Sequence, residues 1–138
     1  MTPHLHALCF DAKDPLALAR FWAGVLGWEP AGGRRDGIVI RPGDDTGFRI
    51  RFLPTQERKS GRNRLHFDLA PPADGDQQAE ADRLVSLGAT RRDSGPDDLG
   101  PDDLAHDAAA HGDAGLVAMA DPDGNEFCVL TATAATPA

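Results

Sequence analysis

Apolar residues along this chain fall in short strand-like runs, broken in two places by a longer stretch with helical spacing. Leu5–Asp11 (LHALCFD) is short, largely apolar and followed by a turn, which predicts a strand. Asp14-Pro15 then opens a helix: aspartate is a good N-cap, and proline suits the first helical position because its missing N–H has no partner there. Leu18, Phe21, Trp22, Val25 and Leu26 recur at spacings of three and four and form one apolar stripe. Gly27 closes the helix, since glycine accepts positive φ. Three strands are expected next, around Trp28–Pro30, Gly37–Arg41 and Phe48–Leu53, separated by Gly32-Gly33 and Pro42-Gly43-Asp44-Asp45.

The order then repeats. Leu65–Leu69 (LHFDL) reads as a strand. Asp76–Leu87 reads as a helix with Ala81, Leu84, Val85 and Leu87 as its apolar positions, closed by Gly88. Ala89–Arg92, Gly115–Ala120 and Phe127–Thr131 supply three further strands. Leu8-Cys9-Phe10-Asp11 resembles Leu65-His66-Phe67-Asp68, and both helices end in Leu-Gly, so a period of about 60 residues runs through the chain. The expected organisation is one domain over residues 1–138. Its first βαβββ module spans about 4–54, a polar linker 55–62, and a second module about 63–132. An acidic insertion at 94–113 carries the tandem GPDDL of Gly95–Leu99 and Gly100–Leu104. It reads as a surface loop or as a lid.

Composition narrows the partners. The formal net charge is −8, which argues against nucleic acid, because phosphate binding needs a clustered basic surface. Arg58, Lys59, Arg62 and Arg64 lack interleaved aromatics and read as a solvated linker. No run approaches the roughly 20 apolar residues of a membrane span. Cys9 and Cys128 do not make a disulfide framework, and Met1–Leu5 has no secretory pattern, so a cytoplasmic protein with reduced thiols is expected. His4, His106 and His111 read as surface histidines.

Two segments carry a family resemblance. Asp14-Pro15…Phe21-Trp22…Val25-Leu26-Gly27-Trp28 resembles the first helix of vicinal-oxygen-chelate proteins. Asp121-Pro122-Asp123-Gly124-Asn125 resembles the tight turn before their last strand. With Asn63–Leu69 and Asn125–Val129, the chain is most similar to the glyoxalase-like branch of the glyoxalase, bleomycin-resistance and extradiol-dioxygenase superfamily. The resemblance implies an α+β fold in which two tandem βαβββ modules form a curled, barrel-like mixed sheet around a cavity, with the helices outside.

Strand alternation then sorts side chains. In the fifth strand Leu65, Phe67 and Leu69 face the helix layer, while His66 and Asp68 face the cavity. In the first, Leu8 and Phe10 face the helix, leaving Ala7, Cys9 and Asp11 inward. In the last, Phe127 and Val129 face the helix, with Glu126, Cys128 and Leu130 inward. In the fourth, Phe48, Ile50 and Phe52 are helix-facing and Arg49 and Arg51 inward. The family's metal ligands come from the first, fifth and last strands. Carried over position by position, His66 matches the fifth-strand ligand, but the last-strand position is Cys128 and the first-strand position is Ala7. His6, one residue away, falls on the opposite face. No metal ligands are therefore assigned and no cofactor is expected, with a divalent metal kept as the minor alternative.

The resemblance implies a small-molecule-binding protein, either a lyase- or isomerase-type enzyme with a degraded metal site (or, with iron, a dioxygenase relative) or a non-catalytic, antibiotic-sequestering binder. His66 is the candidate proton-transfer group, since imidazole titrates near neutrality, and Glu126 the second acid–base group. The ligand-contact candidates are Arg51, Asp68, Trp28 and Cys128. A monomer and a homodimer are both compatible with this reading.

Overall fold

A computed structural model describes residues 1–34, 37–73, 75–92 and 115–131. The 94–113 insertion, with His106 and His111, lies outside the described residues. The chain divides into two compact units, Met1–Ser60 and Gly61–Ala138.

The first unit contains β1 (Ala7–Ala12), α1 (Pro15–Leu26), β2 (Glu29–Arg34), β3 (Gly37–Arg41) and β4 (Arg49–Pro54), with its strands in the order β1-β4-β3-β2. β1 runs parallel to β4, and the other pairs are antiparallel. α1 starts as its sequence requires: Asp14 Oδ1 accepts from the Ala17 N–H at 3.1 Å, and Pro15 occupies the first turn. It stops at Gly27, whose φ of 69° is left-handed. α1 lies across all four strands and buries Leu18, Ala19, Phe21, Trp22 and Ala23. Ile40, Ile50 and Phe52 complete this core, with Phe10 stacked on Phe52 at 5.7 Å between ring centroids. Burial alternates as expected: Leu8, Phe10, Ile50 and Phe52 belong to the core side, while Cys9, Asp11 and Arg51 are exposed.

The second unit contains β5 (Phe67–Leu69), α2 (Gln77–Leu87), β6 (Thr90–Arg91), β7 (Val117–Ala120) and β8 (Glu126–Val129), ordered β5-β8-β7-β6. This is the same strand order as in the first unit, again with one parallel pair, β5 with β8. Among the described residues the fold is α+β, with two four-stranded mixed sheets and two helices. Asp76 caps α2 by accepting from the Ala79 N–H at 3.1 Å. The Gln77 side chain then donates to the Gly115 and Val129 carbonyls, tying the start of α2 to the strands. Phe127, Val129 and Met119 are buried on one face of the β7–β8 pair.

Two expectations need correction. β5 begins at Phe67 rather than Leu65, and Leu65 is 66% exposed instead of covering a helix layer. Val85 and Leu87 are exposed too, so α2 buries only Ala81 and Leu84. A two-point apolar contact suffices for a short helix whose remaining surface is polar. No helix among the described residues is long and apolar enough to cross a membrane.

Candidate functional site

The chemistry of the second unit converges where β5 meets β8. His66 immediately precedes β5 and Asp68 lies within it, and their side chains meet, 3.4 Å apart. Asp68 stands directly opposite Cys128 in the parallel pairing. The result is a cluster in which one ligand-type atom from each of His66, Asp68 and Cys128 lies within 4.8 Å of the other two. His66 Nε2 is 3.4 Å from Asp68 Oδ1, with both side chains about a quarter exposed. That separation exceeds the usual N–H···O range, so the contact orients the ring loosely. Cys128 is buried, only 3% exposed.

A small pocket opens beside the cluster, lined by Arg62, Asn63, His66, Ala118, Glu126, Phe127 and Cys128. Ala118 is the β7 partner of Cys128, and its single methyl group leaves space that a larger residue would fill. The pocket has room for roughly one water-sized sphere. Glu126 sits in its wall with both carboxylate oxygens engaged: Oε2 accepts from the Asn63 N–H at 2.8 Å, and Oε1 is 3.6 Å from Arg92 Nη1. Glu126 and Arg92 are both largely buried.

The structure therefore brings together His66, Asp68, Cys128 and Glu126. Arg51 and Trp28 belong to the first unit. Arg51 is exposed on β4 opposite Cys9 and Val39. Trp28 is half-buried, with its ring edge-on to Phe48 at 6.1 Å. Several residues that line or support the pocket were not expected, among them Ala118 and Phe127, the latter expected on the helix-facing side. Arg62 had been grouped with a solvated basic linker, yet it lines the pocket. Asn63 contributes a backbone N–H, which no side-chain pattern announces. Arg92 follows Arg91, whose side chain reaches Asp82 and Gln78 on α2. Successive strand residues point oppositely, so the Arg91-Arg92 pair was the available signal.

Asp121 builds the turn before β8. It is buried, and its Oδ1 accepts the Asp123 and Asn125 N–H groups at 2.9 Å each, while the Asn125 amide donates to its Oδ2 at 2.9 Å. Gly124 has φ 88°, the positive value this turn needs. The turn thus starts β8 at Glu126 and sets its side-chain parity.

A divalent cation fits the donor set. His66, Asp68 and Cys128 offer nitrogen, oxygen and sulfur at one point, whereas the first-strand position, Ala7, has no donor atom, and His6 is exposed before β1 with its ring near His4. Asp68 is not one of the ligand positions that the family resemblance implies.

The Glyoxalase-like domain family profile matches residues 7–130. No curated protein matches the chain by sequence. Among solved structures, the oxidase ChaP-H2 is 23% identical with a TM-score of 0.62, covering 95% of this chain and 94% of that one. A glyoxalase-related enzyme from Fulvimarina pelagi is 20% identical with a TM-score of 0.62, covering 94% and 88%. The fosfomycin resistance protein FosX from Listeria monocytogenes is 14% identical with a TM-score of 0.64, covering 95% and 92%. At these identities the likeness is one of fold, and it joins the profile match over nearly the whole chain: the protein belongs to the glyoxalase-like domain family, within the vicinal-oxygen-chelate superfamily.

Proposed function

We propose that this protein binds a small polar molecule at the second-unit pocket and turns it over by proton transfer, as a lyase- or isomerase-type enzyme. The supporting observation is that His66, Cys128 and Glu126 line one pocket. Fold alone decides little, since one architecture hosts many reactions; the relatives of similar fold include an oxidase and fosfomycin resistance proteins.

His66 is the proton-transfer group, an imidazole in the pocket lining with Asp68 3.4 Å from its Nε2. A carboxylate beside one ring nitrogen favours the tautomer protonated on that side of the ring. Glu126 is held against the pocket wall by Asn63 and Arg92, so it presents a fixed carboxylate and does not swing. Arg62 supplies a guanidinium at the lining, suited to an anionic group on the ligand. A cation at His66, Asp68 and Cys128 would supply Lewis-acid polarisation of a ligand oxygen. With His66 committed in that way, Glu126 is the remaining base in the lining. In this reading Arg51 and Trp28 stay ligand-contact candidates of the first unit, and Cys9 and Cys128 as reduced cysteines suit a reducing, cytoplasmic setting.

The test is turnover and binding, followed by mass spectrometry and calorimetry, against α-ketoaldehyde–thiol adducts, epoxides and catechols. His66→Ala is expected to lower turnover by at least about 100-fold. Tight binding with no product would favour a sequestering protein instead. Turnover unchanged in both His66→Ala and Glu126→Gln would remove this pocket as the reaction site.

A further inference from the structure

We propose that the first unit carries an anion-binding site of its own: Arg41, Arg49 and Arg51, on the sheet face turned away from α1, take a compact molecule bearing two or more carboxylate or phosphate groups. The site goes beyond the second-unit pocket and does not depend on it.

Placement is the first support. Ile40, Ile50 and Phe52 are buried in the α1 core, so their neighbours Arg41, Arg49 and Arg51 take the other face. Arg41 and Arg51 are exposed there and Arg49 is half-buried. Arg49 and Arg51 are an i, i+2 pair on β4. The β3–β4 register, carried on by one position, sets Arg41 opposite Arg49. Opposite residues have Cβ atoms about 5 Å apart, and diagonal ones stand about 7–8 Å apart. Three long side chains rooted that closely can close on one small ligand.

Charge is the second. Like charges directly opposite each other in an antiparallel pair are destabilising. Among the described residues none of the three guanidiniums has an ion-pair partner to relieve this. Arg83, Arg91 and Arg92 of the second unit, by contrast, each meet a carboxylate. The carboxylates of the face, Asp11 and Glu29, lie on the outer strands β1 and β2. Glu29 is the register partner of Arg41 but makes no ion pair with it. The two units also divide the charge unequally. Met1–Ser60 holds nine Lys and Arg against seven Asp and Glu, a net +2, while Gly61–Ala138 holds five against fifteen, a net −10. Guanidinium forks bind carboxylate and phosphate bidentately, so the cluster suits an anion. Three cations are too few for an extended nucleic acid, which the overall −8 also repels; a compact anion is the matching ligand.

Cys9 supplies a reporter. It is exposed, and it is the β1 register partner of Arg51, so an anion held by Arg51 should shield its thiol.

The experiment titrates the full chain, in a chelating buffer at low ionic strength, with pyrophosphate and with citrate by calorimetry, with acetate as the monoanion control. One equivalent per chain is expected, with a Kd of about 1 mM or tighter that weakens with salt. Arg41→Gln, Arg49→Gln and Arg51→Gln should each weaken it by about 3–10-fold. Pyrophosphate should slow alkylation of Cys9, read by peptide mass spectrometry, and His66→Ala should change neither result. No saturable binding, or an affinity unchanged when Arg49→Gln and Arg51→Gln are combined, would overturn the proposal. So would binding lost on His66→Ala, which would place the anion in the second-unit pocket, or on Arg58→Gln with Arg62→Gln, which would place it on the linker. Salt-sensitive self-association that disappears in Arg51→Gln, with no anion binding, would give the face to a second copy and overturn it too.

Discussion

Asp121 shows how one side chain can set the chemistry of a neighbouring strand. Its buried carboxylate takes three donors from Asp123 and Asn125, and removing it would leave those donors short of a partner. Asp121→Ala is expected to cost about 2–3 kcal/mol by chemical denaturation, since hydrogen bonds to a charged group are the stronger kind. The two thiols differ at the same scale. Cys9 is exposed and Cys128 buried, so a thiol reagent should label one cysteine quickly in the native protein and the second only slowly. Equal rates for both would contradict the burial of Cys128. The spacing of His66 and Asp68 and the parity of Cys128 were readable from the sequence, because alternation in a strand is a local rule. That Asp68 stands opposite Cys128 was not, because register between strands separated by some 60 residues is decided by pairing.

At the scale of elements, both helices declare their ends in sequence. Asp14 and Asp76 each cap by accepting an N–H at 3.1 Å, and replacement of either by alanine should cost about 1 kcal/mol in thermal or denaturant unfolding. The lengths of the strands were less legible. β5 is only three residues long, and β6 two, because a strand's length is set by the pairing it finds and not by its own apolar run. Gly37 is a further case. Its φ is 135°, and a Cβ there would approach the Phe52 carbonyl oxygen to 2.7 Å and Leu53 Cδ2 to 2.9 Å. Gly37→Ala is therefore expected to lose about 1–3 kcal/mol through backbone strain and overpacking of β3 on β4. Stability within about 0.5 kcal/mol of the parent would show that the strands can shift to accept a methyl group. Gly37 opens a strand-like run and Gly43 lies in a turn stretch, but nothing in the local sequence shows the close approach of β4 at Gly37; beside Gly43 and Gly47 an added Cβ would meet only open space.

For the whole molecule, the charge balance carries the clearest prediction. With a formal net charge of −8, the protein should show no retardation of duplex DNA at physiological salt, since such binding depends on cationic groups displacing counterions. A salt-dependent gel shift would contradict it. The same overall balance says little about a pocket, where Arg62 and Arg92 supply local positive charge.

The sequence by itself determined the two helices and their caps, the turn at Asp121–Asn125 and the alternation of faces along β1 and β4. All of these follow from interactions spanning a few neighbouring positions: a cap, a repeat of 3.6 or 2, a glycine at positive φ. Only the tertiary structure decided which strands pair and in what register. That choice set Asp68 against Cys128, drew Arg62 from the linker and Asn63 from the start of the second module into the pocket lining, and placed Arg92 against Glu126. Those contacts join residues up to 63 positions apart, and they depend on how whole sheets bury their apolar faces. Short-range patterns carry no record of that.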